Sequence, residues 1–132
     1  MIRGRVLYIE DDPMSLKLVE RLLEQRPEVE LIMALEGKQG LTLARECRPD
    51  LVLLDLYLQD MDGEHVLRAI RAEPELRRTP VIVITAEPYP RLPERMRAAG
   101  AQAYLRKPLN FDEFFAAIDA ALRQDGAPGQ TP

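Results

Sequence analysis

Four consecutive apolar residues, Leu51-Val52-Leu53-Leu54, run between Pro49-Asp50 and the carboxylate of Asp55. A run this short, apolar at every position and bounded by turn residues, reads as a strand buried on both faces of a parallel sheet. Asp55 then stands at the strand's carboxyl end, the edge where loops on a rigid sheet collect ligands and chemistry in open α/β folds. A lone aspartate there could equally end a strand and solvate a loop, and the rest of the chain decides between the two.

The same grammar recurs four more times. Arg5-Val6-Leu7-Tyr8-Ile9 is apolar and β-rich and breaks into Glu10-Asp11-Asp12-Pro13. Pro13 opens a helix whose apolar face is Leu16, Val19, Leu22 and Leu23, running to about Gln25 before Pro27. A strand is expected from Val29 to Leu35, then a short helix carrying Leu41, Ala44 and Cys47. Asp62-Gly63 turns into a helix with Val66, Leu67 and Ile70 inward and Pro74 at its exit. Thr79-Pro80-Val81-Ile82-Val83-Ile84-Thr85 reads as a further buried strand, this time ending on a hydroxyl. Pro88, Pro90 and Pro93 delay the next helix to about Pro93–Ala99, with Gly100 as its cap. A fifth strand, Ala101 to Arg106, runs into Lys107-Pro108, and Asn110 with Glu113 opens a last helix to about Arg123. Five strand–helix repeats predict an α/β fold, a doubly wound parallel sheet with five helices and all strand carboxyl ends on one edge.

Composition narrows the function. At 132 residues and 46% hydrophobic the chain suits one domain, expected over residues 1–124, with residues 125–132 a disordered tail. A formal charge of −4 with scattered basic residues argues against nucleic-acid binding by this chain alone. The single cysteine, Cys47, excludes an internal disulfide and reads as a buried apolar filler. No apolar run approaches a membrane span and none resembles a signal peptide, so a cytoplasmic protein with no membrane association is expected.

The polar residues at the predicted carboxyl edge are Glu10, Asp11, Asp12, Asp55, Thr85 and Lys107, from four strands. Clustered carboxylates repel, by roughly 4 kcal/mol per close pair at an effective dielectric near 20, and so take up protons or hold a cation. Oxygen ligands without His or Cys favour a hard divalent ion, and Mg²⁺ with its liking for carboxylate, water and phosphoryl oxygen fits best. Lys107, one of three lysines among 18 basic residues, adds an ammonium and Thr85 a hydroxyl. These are the parts of a phosphoryl-transfer site with a carboxylate nucleophile. Asp55 is the expected acceptor, Asp11 and Asp12 the pair suited to grip metal, and Glu10 the member that could face solvent instead.

The Glu10-Asp11-Asp12 cluster, Asp55 followed by Met61-Asp62-Gly63, Thr85-Ala86 and Lys107-Pro108, in that order, resemble the receiver domain of two-component response regulators over Val6 to Leu122. The resemblance implies a flavodoxin-like sheet of strand order 2-1-3-4-5, the order of the chemotaxis regulator in this fold class. It implies that Asp11 or Asp12, with Asp55 and the carbonyl of Tyr57, would bind Mg²⁺. It implies that Asp55 would take a phosphoryl group from a phosphohistidine on a sensor histidine kinase or phosphotransfer protein, that Lys107 would pair with that group, and that Thr85 would move to hydrogen-bond it. Tyr104 matches the family's switch aromatic, although strands are rich in tyrosine for ordinary packing reasons.

The chain departs from the family at Gln59, which stands where proline is usual and should loosen the loop after Asp55. The prolines from Pro88 to Pro93 lie where the family rearranges on phosphorylation. Tyr57 and Glu87 match positions that tune phosphate lifetime, with Tyr57 expected to shield the acyl phosphate from water. His65 on a helix, Arg77-Arg78 and the Arg91, Arg95, Arg97 group read as solvated. The expected function is a phosphorylation switch that signals to an unknown downstream protein and leaves a homodimer open, with no activity beyond its own phosphorylation and dephosphorylation. The alternatives are a receiver cut from a hybrid sensor kinase, a receiver-like binding module that is never phosphorylated, and a Mg²⁺-dependent phosphohydrolase. The last usually needs an Asp two residues after the first, where this chain has Tyr57.

Overall fold

The computed structural model describes residues 2–86 and 92–126. Strands and helices alternate: β1 (Gly4–Ile9), α1 (Pro13–Leu23), β2 (Val29–Ala34), α2 (Gly37–Cys47), β3 (Leu51–Leu54), α3 (Gly63–Ala72), a 3₁₀ turn at Pro74–Leu76, β4 (Val81–Thr85), α4 (Leu92–Ala98), β5 (Ala103–Arg106) and α5 (Phe111–Gly126). The five strands form one parallel sheet in the order β2-β1-β3-β4-β5.

Side chains alternate across each strand, so the sheet divides the interior into two apolar clusters. Leu7, Ile9, Val52, Leu54, Val81 and Val83 face α2, α3 and α4, where Val66, Leu67, Ile70 and Met96 meet them. Val6, Tyr8, Leu53, Ile82 and Ile84 face α1 and α5, against Val19, Leu22, Phe114 and Ile118. Two adjacent buried faces are why Leu51–Leu54 shows no polar alternation. On the second face the Arg26 guanidinium grips Asp119 through two hydrogen bonds of 2.9 and 2.7 Å and lies over the Phe115 ring, 4.6 Å from its centroid. That contact ties the end of α1 to α5 with a planar, bidentate pair that a lysine could not reproduce.

Several boundaries differ from the sequence expectation. The second helix is not short: α2 equals α1 in length at 11 residues. Its start is supported from a distance, since Glu36 makes no capping bond and the Asp60 carboxylate accepts from the main-chain N–H groups of Gly37 (2.8 Å) and Lys38 (2.9 Å) instead. The last helix continues to Gly126, while 127–132 lie outside the described residues, as do Glu87, Pro88, Pro90 and Arg91. Gly100 follows α4 with φ of +114°, a conformation that glycine adopts without strain. Cys47 is half-buried at the end of α2 rather than a buried filler. Among the described residues no helix is long and apolar enough to cross a membrane.

Candidate functional site: an acidic cup at the carboxyl edge

Register places the functional side chains level with one another. Ile9 on β1 pairs with Leu54 on β3, which pairs with Val83 on β4, and Thr85 pairs with Arg106 on β5. The next residues therefore leave the sheet side by side: the Asp55 N–H donates to the Ile9 carbonyl at 3.1 Å and the Lys107 N–H to the Thr85 carbonyl at 2.9 Å. Strand geometry alone thus gathers Glu10, Asp11, Asp55, Thr85 and Lys107 on one edge.

Glu10 sits at the centre of this group. It is fully buried, against the expectation that it could face solvent, because β1 continues its ladder to Glu10 through a 2.9 Å bond from its N–H to the Ala34 carbonyl. Both of its carboxylate oxygens are engaged. Oε1 accepts from Lys107 Nζ at 2.7 Å and from the Tyr8 hydroxyl at 3.1 Å, and Oε2 accepts from the Asp12 N–H at 3.1 Å. Lys107 Nζ also stands 4.0 Å from Asp55 Oδ2. Asp55 is 6% exposed, and its Oδ1 accepts from the Tyr57 N–H at 3.4 Å. Burial first, and then the nearby Glu10 charge, push the Asp55 carboxyl up from 3.8 to about 7, with Lys107 acting in the other direction. Burial and the same Glu10 charge hold the Tyr8 hydroxyl protonated far above the usual phenol range.

The structure brings together Glu10, Asp11 and Asp55, each offering an oxygen within 4.8 Å of the others. It leaves Asp12 outside, which corrects the pairing of Asp11 with Asp12 as a metal grip. Asp12 is exposed and caps α1, accepting from Met14 N–H (3.4 Å), Ser15 N–H (3.3 Å) and the Ser15 hydroxyl (2.8 Å). The Ser15 hydroxyl is the chief reason that its carboxyl is held below the ordinary carboxylate range. Three oxygen donors with no nitrogen or sulfur suit a hard divalent cation such as Mg²⁺.

The loop after β3 is tied down rather than loosened by Gln59. With no proline ring there, the Gln59 N–H is free to donate, and it does so to Asp11 Oδ2 at 3.1 Å. Asp60 fastens the loop to the start of α2 by accepting from the Gly37 and Lys38 N–H groups, and Tyr57 bridges to Asp62. Gly63 closes the loop where no side chain fits: a Cβ there would lie 2.5 Å from Leu56 Cα and 2.6 Å from the Asp55 carbonyl oxygen. Thr85 is fully buried at the end of β4 and Tyr104 is half-buried on β5 against the α2–α4 side of the core, while the Tyr57 side chain is about half exposed. His65 is exposed, as expected, and so is Arg95, which also pairs across to Glu64 of α3 at 2.8 Å.

A five-stranded sheet of this order with an acidic cup beside a lysine defines a class of signalling module, and comparison with known proteins agrees. Residues 6–119 match the family model described as response regulator receiver domain. The polar-differentiation response regulator DivK of Brucella anthropi is 37% identical over 117 residues, which cover 89% of this chain and 94% of DivK. Among solved structures, the receiver domain of a DNA-binding response regulator from Colwellia psychrerythraea superposes with a TM-score of 0.85 at 29% identity, covering 91% of this chain and 98% of that one. The receiver domain of the sensor histidine kinase PA1611 of Pseudomonas aeruginosa, solved with a magnesium ion coordinated in its active-site cleft, does so at 0.82 and 28%, with the same coverage. The chain belongs to the response regulator receiver domain family, the signalling switches of two-component systems.

Proposed function

We propose that Asp55 is the phosphoacceptor of this receiver, charged by a sensor histidine kinase or a phosphotransfer protein in a Mg²⁺-dependent reaction. The observation that carries this reading is the convergence of Asp55, Glu10 and Asp11 in one cup with the Lys107 ammonium 4.0 Å from Asp55. An Asp55 carboxylate oxygen attacks phosphorus, forming the O–P bond as the N–P bond of a phosphohistidine breaks and the imidazole leaves. Lys107 pairs with the transferred group, and the buried Thr85 hydroxyl moves to hydrogen-bond it.

Glu10, Asp11 and Asp55, with the Tyr57 carbonyl, are the groups that would hold the ion. Bound there, Mg²⁺ would supply positive charge that favours ionised Asp55 and offsets the charge of a phosphoryl group. Asp12, committed to the start of α1, stays outside this set. An inward turn of Tyr104 accompanies the Thr85 movement and alters the surface that a downstream protein reads. The half-exposed Tyr57 shields the acyl phosphate, so a Tyr57→Asn variant loses it faster. The protein acts in the cytoplasm on protein partners rather than nucleic acid, and its only chemistry is its own phosphorylation and dephosphorylation.

The test is incubation with Mg²⁺ and acetyl phosphate followed by intact mass. The wild type is expected to gain one phosphate and Asp55→Ala none. An equal gain in the variant would assign the phosphate elsewhere, and no gain in the wild type would end the proposal.

A further inference from the structure

Tyr8 carries a hydroxyl that packing does not require. Its ring is fully buried in the cluster between the sheet and the α1–α5 layer, where a phenylalanine would fill the same space. Burying a hydroxyl is unfavourable unless it finds a partner, and here the partner is Glu10 Oε1, at 3.1 Å. Tyr8 and Glu10 are two residues apart on one strand, so the pleat points both side chains to the same face.

The same oxygen also holds Lys107, at 2.7 Å, while Asp55 Oδ2 is 4.0 Å from that ammonium. In the resting cup Lys107 is therefore engaged mainly by Glu10. On the reading proposed above, Lys107 has to turn toward the phosphoryl group on Asp55 when transfer occurs. Glu10 Oε1, fully buried, then loses the hydrogen bond from the Lys107 ammonium. Without a second donor the departure would leave a desolvated carboxylate oxygen unsatisfied, which is the costly side of hydrogen bonding in an interior.

We propose that Tyr8 is a positioning residue for phosphoryl transfer, its hydroxyl holding Glu10 in place so that Lys107 can be released to the phosphoryl group on Asp55. The role rests on the proposed function and adds to it a residue that acts through Glu10 and Lys107 without touching the phosphoryl group.

The experiment is a double-mutant cycle of Tyr8→Phe and Lys107→Ala. The rate of phosphate gain from acetyl phosphate at saturating Mg²⁺ is followed by intact mass, and thermal unfolding of each metal-free variant is recorded alongside. Tyr8→Phe should charge about three- to tenfold more slowly than wild type, the scale of one ordinary net hydrogen bond, while unfolding as a single cooperative transition. In the Lys107→Ala background the same substitution should change the rate less than about twofold, because the lysine that it serves is gone. Charging of Tyr8→Phe at the wild-type rate would overturn the assignment. Equal slowing in both backgrounds would overturn it too, since that would mark general damage to the cup. A wild type that gains no phosphate would instead refute the function on which the role rests.

Discussion

Replacing Asp55 with asparagine should stabilise the metal-free protein above neutral pH. Its carboxyl is pushed from 3.8 to about 7 by burial and by Glu10. An unfolded chain ionises this group near 3.8, whereas the native protein keeps it protonated until about 7. The stability it contributes is thus complete below 3.8, falls as the pH rises toward 7, and is gone above that. At roughly 1.4 kcal/mol per tenfold change in ionisation constant the full span is about 4 kcal/mol. Asparagine keeps the shape and removes the charge, giving up only the attraction to Lys107 at 4.0 Å, so a gain of about 2–4 kcal/mol is expected. Urea unfolding in the presence of a chelator reads it directly. With a slope of about 1–3 kcal/mol per molar, the midpoint at pH 8 should rise by about 1–4 M. At pH 4 the two proteins should nearly coincide, and saturating Mg²⁺ at pH 8 should narrow the gap by offsetting the repulsion in the wild type. An Asp55→Asn protein no more stable than wild type at pH 8, or an equal gap at pH 4, would refute the charge balance assigned to the cup.

Asp11→Ala should abolish Mg²⁺ binding in calorimetry, whereas Asp12→Ala should leave the affinity within about twofold of wild type and lower the melting temperature through the lost α1 cap. Gly63→Ala should cost about 2 kcal/mol or more in urea unfolding and weaken Mg²⁺ binding, because the new Cβ displaces the backbone of Asp55 and Leu56. Gln59→Pro should weaken Mg²⁺ binding about tenfold by removing the N–H that orients Asp11, while Gln59→Ala, which keeps that N–H, should bind as wild type.

The sheet was legible because its signal is periodic and local. Leu51–Leu54 and the run from Thr79 to Thr85 read as doubly buried strands, and the strands are there at Leu51–Leu54 and Val81–Thr85; alternation with helices predicted the parallel sheet, while its strand order followed only from the family resemblance. The cup was legible as a set of strand ends, but the division of labour among its three adjacent carboxylates was not taken from the residues that follow them. Asp12-Pro13-Met14-Ser15 is a helix-start pattern, with proline at the first helical position and a hydroxyl close behind, and it reserves Asp12 for capping. Nothing local marks Tyr8 as more than part of an apolar strand, although Glu10, two residues on and just past β1, extends from the same face. Asp60 reaching α2 and Arg95 reaching Glu64 join segments more than 20 residues apart, and no local pattern encodes such pairs.

Among the described residues the two apolar clusters lie on opposite faces of the sheet. Trimming a methyl on one side, as in Ile70→Val, and another on the opposite side, as in Ile118→Val, should therefore have effects that sum to within about 0.5 kcal/mol in the double variant. Such independence lets the packing of the α1–α5 layer be recut while the α2–α4 layer stays as it stands.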